Sequence, residues 1–137
     1  MHGIKQEEAN WLPVILVQYL AYAHGQQDRN CGKEWLIRTV TKWGTDNEPN
    51  GILEYSCTTK NSVNATGFHL HNALGWLGGS PDGFVGEDGM IEVKCPYSRK
   101  VQKEIPLHYY CQINGLLEIT GRKWCDFVSW TPEEVCI

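Results

Sequence analysis

Residues 80–94 read Ser80-Pro81-Asp82-Gly83-Phe84-Val85-Gly86-Glu87-Asp88-Gly89-Met90-Ile91-Glu92-Val93-Lys94. The Gly86-Glu87-Asp88-Gly89 segment is a hairpin signal, because Gly and Asp-Gly tolerate the positive φ that tight turns demand. Short strands over 83–85 and 90–94 are therefore predicted on either side of it. On the returning strand Glu92 and Lys94 stand two apart and share one face of the sheet. A register that pairs Val85 with Met90 sets position 82 opposite 93 and lays Asp82 beside both. Two acids and a lysine so placed can bind a hard divalent cation and orient a water for attack on a phosphodiester. Asp82 and Glu92 would each offer a carboxylate, and the backbone carbonyl of Val93 is near enough to help. Magnesium keeps several waters, so two carboxylates suffice. Lys94 could orient or deprotonate the water and stabilise charge on the phosphate.

Working outward, the sequence predicts a helix over residues 11–23 with Pro13 in its first turn, where a missing N–H costs nothing. A second helical stretch covers 34–42, with Trp35, Leu36, Thr39 and Val40 on neighbouring turns, and residues 44–47 interrupt it. A further helix starts at Asp46 or Asn47 as N-cap and runs to about Tyr55, with Pro49 in its first turn. Gly51 inside that helix should cost about 1 kcal/mol relative to alanine. Glu48 falls at its start, where the helix dipole favours an acid. A strand over 65–71 precedes the hairpin. Pro106 opens a helix that runs to about Glu118 and stops at Gly121, and a last strand over 123–130 ends at Thr131-Pro132. Helices, three strands, then helix and strand is an α/β order, whose natural solution is a mixed sheet with helices packed on it.

The chain has 137 residues, 42 % apolar and 20 % charged, which suits a single globular domain. The net charge of −4 argues against simple electrostatic binding of nucleic acid. A nuclease is less constrained, since acidic metal ligands lower the total while a local basic groove holds substrate. Arg99, Lys100 and Lys103 follow the Glu-x-Lys strand, and Arg122 with Lys123 precedes the last one; a solvated surface would account for them equally well. The six cysteines contain no C-x-x-C and match no common zinc or disulfide scaffold, so they read as reduced thiols of a reducing compartment. The apolar run at 11–23 is shorter than the roughly 20 residues a membrane helix needs. Glu7 and Glu8 ahead of it carry the wrong charge for a secretory signal. An intracellular protein, in cytoplasm or nucleus, is expected, without membrane association.

Taken alone, an Asp followed ten residues later by Glu-x-Lys is a weak pattern, common on surface hairpins. His69 and His71 could ligate zinc, but no third ligand has suitable spacing, and a structural or substrate-facing role is the better reading. Nothing favours a Cys–His nucleophilic pair, whose partners would meet only in space.

The pattern gains weight from its surroundings. Trp43-Gly44-Thr45-Asp46-Asn47-Glu48-Pro49, then Gly75-Trp76-Leu77-Gly78-Gly79-Ser80-Pro81-Asp82-Gly83, then Ile91-Glu92-Val93-Lys94-Cys95-Pro96-Tyr97, then Tyr109-Tyr110-Cys111-Gln112 follow one another in the chain. In order and spacing this resembles the YqaJ-like viral recombinases, relatives of phage lambda exonuclease in the PD-(D/E)xK nuclease superfamily, over about residues 35–132. The resemblance implies a restriction-endonuclease-like core (αβββαβ) over 34–137, preceded by an unassigned helical segment over 1–33. It implies Mg²⁺- or Mn²⁺-dependent hydrolysis of double-stranded DNA, as a 5′-to-3′ exonuclease acting in recombination. A trimeric homo-oligomer and a single-strand annealing partner follow from the same resemblance. It gives Asp82 and Glu92 as metal ligands, Lys94 as the water-positioning lysine and Glu48 as the helix acid of a second metal. Gln112 becomes the glutamine of the helix after the core strands, with Tyr109 one turn before it. Arg99, Lys100 and Lys103 fit a loop against the DNA backbone, contacts that carry no sequence information. The bland reading of Glu48 as a capping acid gives way to this context.

The chain also departs from the family. Residues 1–33 show no match to the arginine and Thr-Ala-Ser-type segment that handles the 5′ end. Asn114 stands where a second glutamine is common. The chain stops at Ile137, without the family's usual C-terminal strand and helix. A catalytically impaired remnant that grips DNA or a partner is the alternative these departures leave open.

Overall fold

Apolar residues in short runs, separated by turn residues, set the frame. The computed structural model describes residues 4–5 and 34–137. In chain order these form β1 (Ile4–Lys5), α1 (Glu34–Thr59), β2 (Val63–Asn64), β3 (His69–Leu70), β4 (Gly78–Gly79), β5 (Gly83–Val85), β6 (Gly89–Lys94), α2 (Leu107–Thr120), β7 (Trp124–Trp130) and β8 (Val135–Cys136). The main sheet runs β1-β7-β6-β5-β2, with β8 also on β7. The strands β5 and β6 pair antiparallel, while β6 and β7 are parallel and α2 connects them. This is the mixed sheet with packed helices expected of the αβββαβ core. The helix expected over 11–23 lies outside the described residues.

The hairpin forms with a register one residue tighter than predicted. Val85 pairs with Gly89, Phe84 with Met90 and Gly83 with Ile91. The turn is closed by residues 86–88, with Gly86 at φ +57°, a left-handed conformation that glycine adopts at no steric cost. Continuing the ladder by one step sets Asp82 against Glu92 rather than Val93. Because side chains alternate between faces, that single step makes the two carboxylates cross-strand neighbours.

Two other expectations are corrected. The helix α1 runs unbroken from Glu34 to Thr59 with Pro49 inside it, so no break occurs at 44–47 and Glu48 lies in mid-helix, away from any terminal dipole. The residues that read as breakers are absorbed locally. Thr45 Oγ1 donates to the Thr41 carbonyl (3.2 Å) and Asn47 Nδ2 to the Trp43 carbonyl (2.9 Å), back-bonds that keep polar side chains inside a helix. Pro49 forfeits one backbone bond. The strand expected over 65–71 is also divided. Residues 63–64 join the main sheet against β5, whereas His69–Leu70 pairs with Gly78–Gly79 in a separate two-stranded sheet. Gly67 between the two pieces offers no side chain to hold a continuous pleat.

The alternation of β6 and β7 feeds two cores. Met90, Cys125 and Phe127 meet Ile113, Leu116 and Leu117 of α2. Ile91, Val93 and Val128 meet Tyr55 of α1 on the other face. By the same alternation Glu92 and Lys94 fall on the α2 side. The approach of α1 to the sheet requires Gly51, since a Cβ there would lie 2.5 Å from Val93 Cγ1 and 3.3 Å from Trp130 Cβ. Tyr55 is fully buried and its hydroxyl donates to Asp126 Oδ2 at 2.7 Å. Cys57, Cys95, Cys111, Cys125 and Cys136 are free thiols. Among the described residues, no helix is long and apolar enough to cross a membrane.

Two substitutions test this packing. Tyr55→Phe leaves the buried Asp126 carboxylate without its hydroxyl donor and should cost about 1–3 kcal/mol, read from urea unfolding. Gly51→Ala should destabilise as well, although helix propensity alone favours alanine by about 1 kcal/mol; a stabilised variant would refute the close contact.

Candidate active site

The site gathers where β6 ends. Glu92 is 1 % exposed, a position no isolated carboxylate tolerates without partners. Its Oε1 accepts from Lys94 Nζ at 2.5 Å and from Gln112 Nε2 of α2 at 2.8 Å. Its Oε2 is buried and has no hydrogen-bond partner. Asp82 Oδ2 accepts from the backbone N–H of Val93 at 2.7 Å, which ties the residue before β5 to the end of β6. The Lys94 ammonium also lies 4.9 Å from the centroid of the Tyr109 ring, a cation–π distance.

Glu48 enters from α1. It borders a recess of about 270 Å³ together with Asp82, Val93, Lys94 and Tyr109. A neighbouring cleft of about 740 Å³ is lined by Lys94, Tyr109 and Gln112 with Ser80, His108 and apolar residues of α2. Lys94 and Tyr109 thus form a partition between a small polar recess and a larger, mainly apolar one. Of the residues singled out in the sequence, Glu48, Asp82, Glu92, Lys94, Tyr109 and Gln112 converge here.

The acids pay mutual electrostatic penalties. Burial pushes the Glu92 carboxyl up to about 7, with the charges of Asp82 and Glu48 adding to the effect and Lys94 opposing it. Burial likewise raises Asp82, against the Val93 N–H and Lys94. Glu48 is raised by burial and then by the Asp82 charge. Burial works against the Lys94 ammonium, yet Glu92 and Asp82 hold its pKa above the usual lysine value. Lys94 is therefore a charged donor at neutral pH. Cys95, which also borders the recess, has its thiol pushed up to about 11 by burial, so it is no thiolate nucleophile.

Among the described residues, no three His, Cys, Asp or Glu side chains are drawn together tightly enough to hold a metal by themselves. The donor set still suits a hard cation that retains its waters. It consists of oxygens, carries excess negative charge, and includes one buried carboxylate oxygen without a partner.

The loop basic residues are placed differently. Arg99, Lys100 and Lys103 are exposed and line neither cleft. The Arg99 guanidinium stacks 5.4 Å from the Trp43 ring and lies 3.8 Å from Glu133. Asn114 is buried and donates to the Tyr110 carbonyl within α2, so it belongs to the helix rather than the site. His71 accepts from the backbone N–H groups of Ala73 and Leu74 at 3.1 Å, and His69 contacts Thr66 Oγ1 at 2.6 Å. His71 also lies 3.5 Å from Glu118 of α2, so both have structural partners. The sequence reading missed Thr41, Ser80, Gln102 and His108. Thr41 stands seven residues before Glu48, two turns along one helix face, and Ser80 belongs to the Ser-Pro-Asp stretch. Gln102 carries no local signal.

This arrangement belongs to a nuclease-type fold. An LHK-Exo structure in complex with dAMP superposes with a TM-score of 0.66 at 27 % identity. The alkaline exonuclease LHK-Exo from Laribacter hongkongensis does so with 0.62 at 28 % identity. In both cases 93 % of this chain is covered, and it spans 65 % of the length of those chains. The profile of the YqaJ-like viral recombinase domain matches residues 12–123. The chain belongs to that family. No curated protein matches it.

The Glu92 carboxyl has a pH signature. Its folded pKa of about 7 lies above the ordinary 4.5, so the fold binds this proton more tightly than the unfolded chain does. Its stabilising contribution is complete below pH ~4.5 and is lost as pH rises through ~7. In metal-free buffer the unfolding midpoint should fall over that interval, and Glu92→Gln should flatten the slope. An unchanged slope in the variant would assign the titration elsewhere.

Proposed function

We propose that the chain is a metal-dependent deoxyribonuclease, an exonuclease in the 5′-to-3′ sense of the family it belongs to. The observation that carries this reading is the buried Glu92 carboxylate, held on one oxygen by Lys94 and Gln112 and left unpartnered on the other. The dAMP-bound structure of a similar chain supports a nucleotide-sized product.

Asp82, Glu92 and the Val93 carbonyl would hold Mg²⁺ or Mn²⁺, with Glu48 toward a second ion. A bound ion would activate a water and stabilise charge on the phosphate. The chain's own residues do the positioning. Gln112 and Lys94 fix the Glu92 carboxylate in one rotamer, and the Val93 N–H fixes Asp82. Lys94, kept charged by its acidic neighbours, donates to water or to a phosphate oxygen rather than removing a proton. Tyr109 lines both recesses and packs against Phe127 at 5.7 Å, so the wall between them is anchored in the core. Arg99, Lys100 and Lys103 would contact the DNA backbone from outside the recess. The same reading extends, by family, to an intracellular protein, a trimeric assembly and a single-strand annealing partner.

Digestion of linear duplex DNA labelled separately at each 5′ and 3′ end tests the reading. With Mg²⁺ the 5′ label should be released first. Lys94→Ala should lower the rate by about 100-fold or more, a common magnitude for a lost proton donor or orienting group, and EDTA should abolish cleavage. A folded protein that binds DNA without cleaving it would establish the impaired remnant instead.

A further inference from the structure

The loop between β6 and α2 brings to the recess a residue that no motif identifies. Gln102 lines the same 270 Å³ space as Glu48, Asp82 and Lys94. Its backbone N–H donates to Ser129 Oγ at 2.9 Å, and Ser129 is fully buried on β7 next to the end of β6. The loop is therefore pinned at this residue by its main chain, and the side chain is left to serve another purpose. That side chain ends in a buried oxygen, Oε1, which has no hydrogen-bond partner.

Among the described residues, two buried side-chain polar atoms lack a partner, Gln102 Oε1 and Glu92 Oε2. Both belong to this site. A buried acceptor left unsatisfied costs about 1–3 kcal/mol, and such atoms concentrate where water, an ion or a catalytic function completes them. Both orphans are oxygens, so what completes them must be a donor or a cation. A phosphate oxygen can be neither. A water held by a cation is polarised into a strong donor, and Asp82 and Glu92 supply the negative charge that would hold the cation.

From this we infer that Gln102 is a positioning residue for the hydrated divalent cation of the site, accepting through Oε1 from that hydration shell. The inference rests on the proposed metal-dependent reading. It adds the β6–α2 loop as a fifth element to a site that α1, β5, β6 and α2 otherwise build, and it gives the clamp to Ser129 a purpose. Outer-shell partners of this type are commonly worth about 10- to 100-fold in metal affinity.

The test is Mn²⁺ binding to the full chain without DNA, by calorimetry, for wild type, Gln102→Met and Gln102→Glu. Methionine keeps the length and removes both hydrogen-bonding groups, whereas glutamate keeps the acceptor and removes the donor. Gln102→Met should weaken Mn²⁺ by about 10- to 100-fold with an unchanged metal-free melting temperature, and Gln102→Glu should restore or exceed wild-type affinity. A change under about twofold in Gln102→Met overturns the role. Equal losses in both variants together with a lowered metal-free melting temperature would also overturn it, showing a loop-packing residue. Wild type that binds no Mn²⁺ would sink the metal-dependent reading itself, and this proposal with it; wild type that binds while Gln102→Met binds equally well removes this proposal alone.

Discussion

The site depends on burying a carboxylate. Glu92 is carried on the central strand of the sheet, with β5 on one side and β7 on the other, and its side chain lies beneath α2. A charge placed there would cost several kcal/mol without compensation. The fold supplies it in two ways, through the Lys94 ammonium one residue pair along the strand and through the Gln112 amide from the crossover helix. The parallel pairing of β6 with β7 is what makes this possible, because it forces the connection to cross the sheet as a helix. That helix arrives over the face to which Glu92 points.

Compensation is deliberately incomplete in physical terms. Glu48, Asp82 and Glu92 each have a pKa raised by burial, and the charge of Asp82 raises Glu48 and Glu92 further, while one lysine balances them. Such an excess of negative charge destabilises the isolated chain and is relieved by a cation. Structural ion pairs are normally matched, so the mismatch at the end of β6 is itself a functional indication. The core beneath is conventional by comparison. Two apolar layers flank the sheet, and the Tyr55–Asp126 pair is a closed hydrogen bond between buried groups.

The partition made by Lys94 and Tyr109 gives the site its direction. On one side lie the acids and a small polar recess; on the other a larger cleft runs along α2 between Leu116, Ile119 and the β4 glycines. In the proposed reading, phosphate chemistry belongs to the first and the apolar parts of a nucleotide to the second. The net charge of −4 is compatible with this division, because Glu48 and Asp82 line the recess, Glu92 is buried at the end of β6, and the exposed basic loop residues lie outside it.

The local sequence determined the hairpin, its flanking strands, the crossover helix with its Gly121 stop, and the last strand, since each is encoded by turn residues and apolar runs within a few positions. Motif order was enough to nominate Glu48, Asp82, Glu92, Lys94, Tyr109 and Gln112. Tertiary structure decided what local patterns could not reach. The hairpin register turned on one glycine at φ +57°, and a step of one residue exchanges the faces of a strand. Continuity of α1 through Pro49 depended on back-bonding and on packing against the sheet, which override propensity. Gln102 became visible only when the loop was clamped to Ser129, because Glu48, Asp82 and Lys94, with which it shares the recess, lie at least eight positions away along the chain. Burial of Glu92, and hence its raised pKa, is a property of the assembled layers: a sequence can state that a carboxylate is present, but only packing removes the water around it.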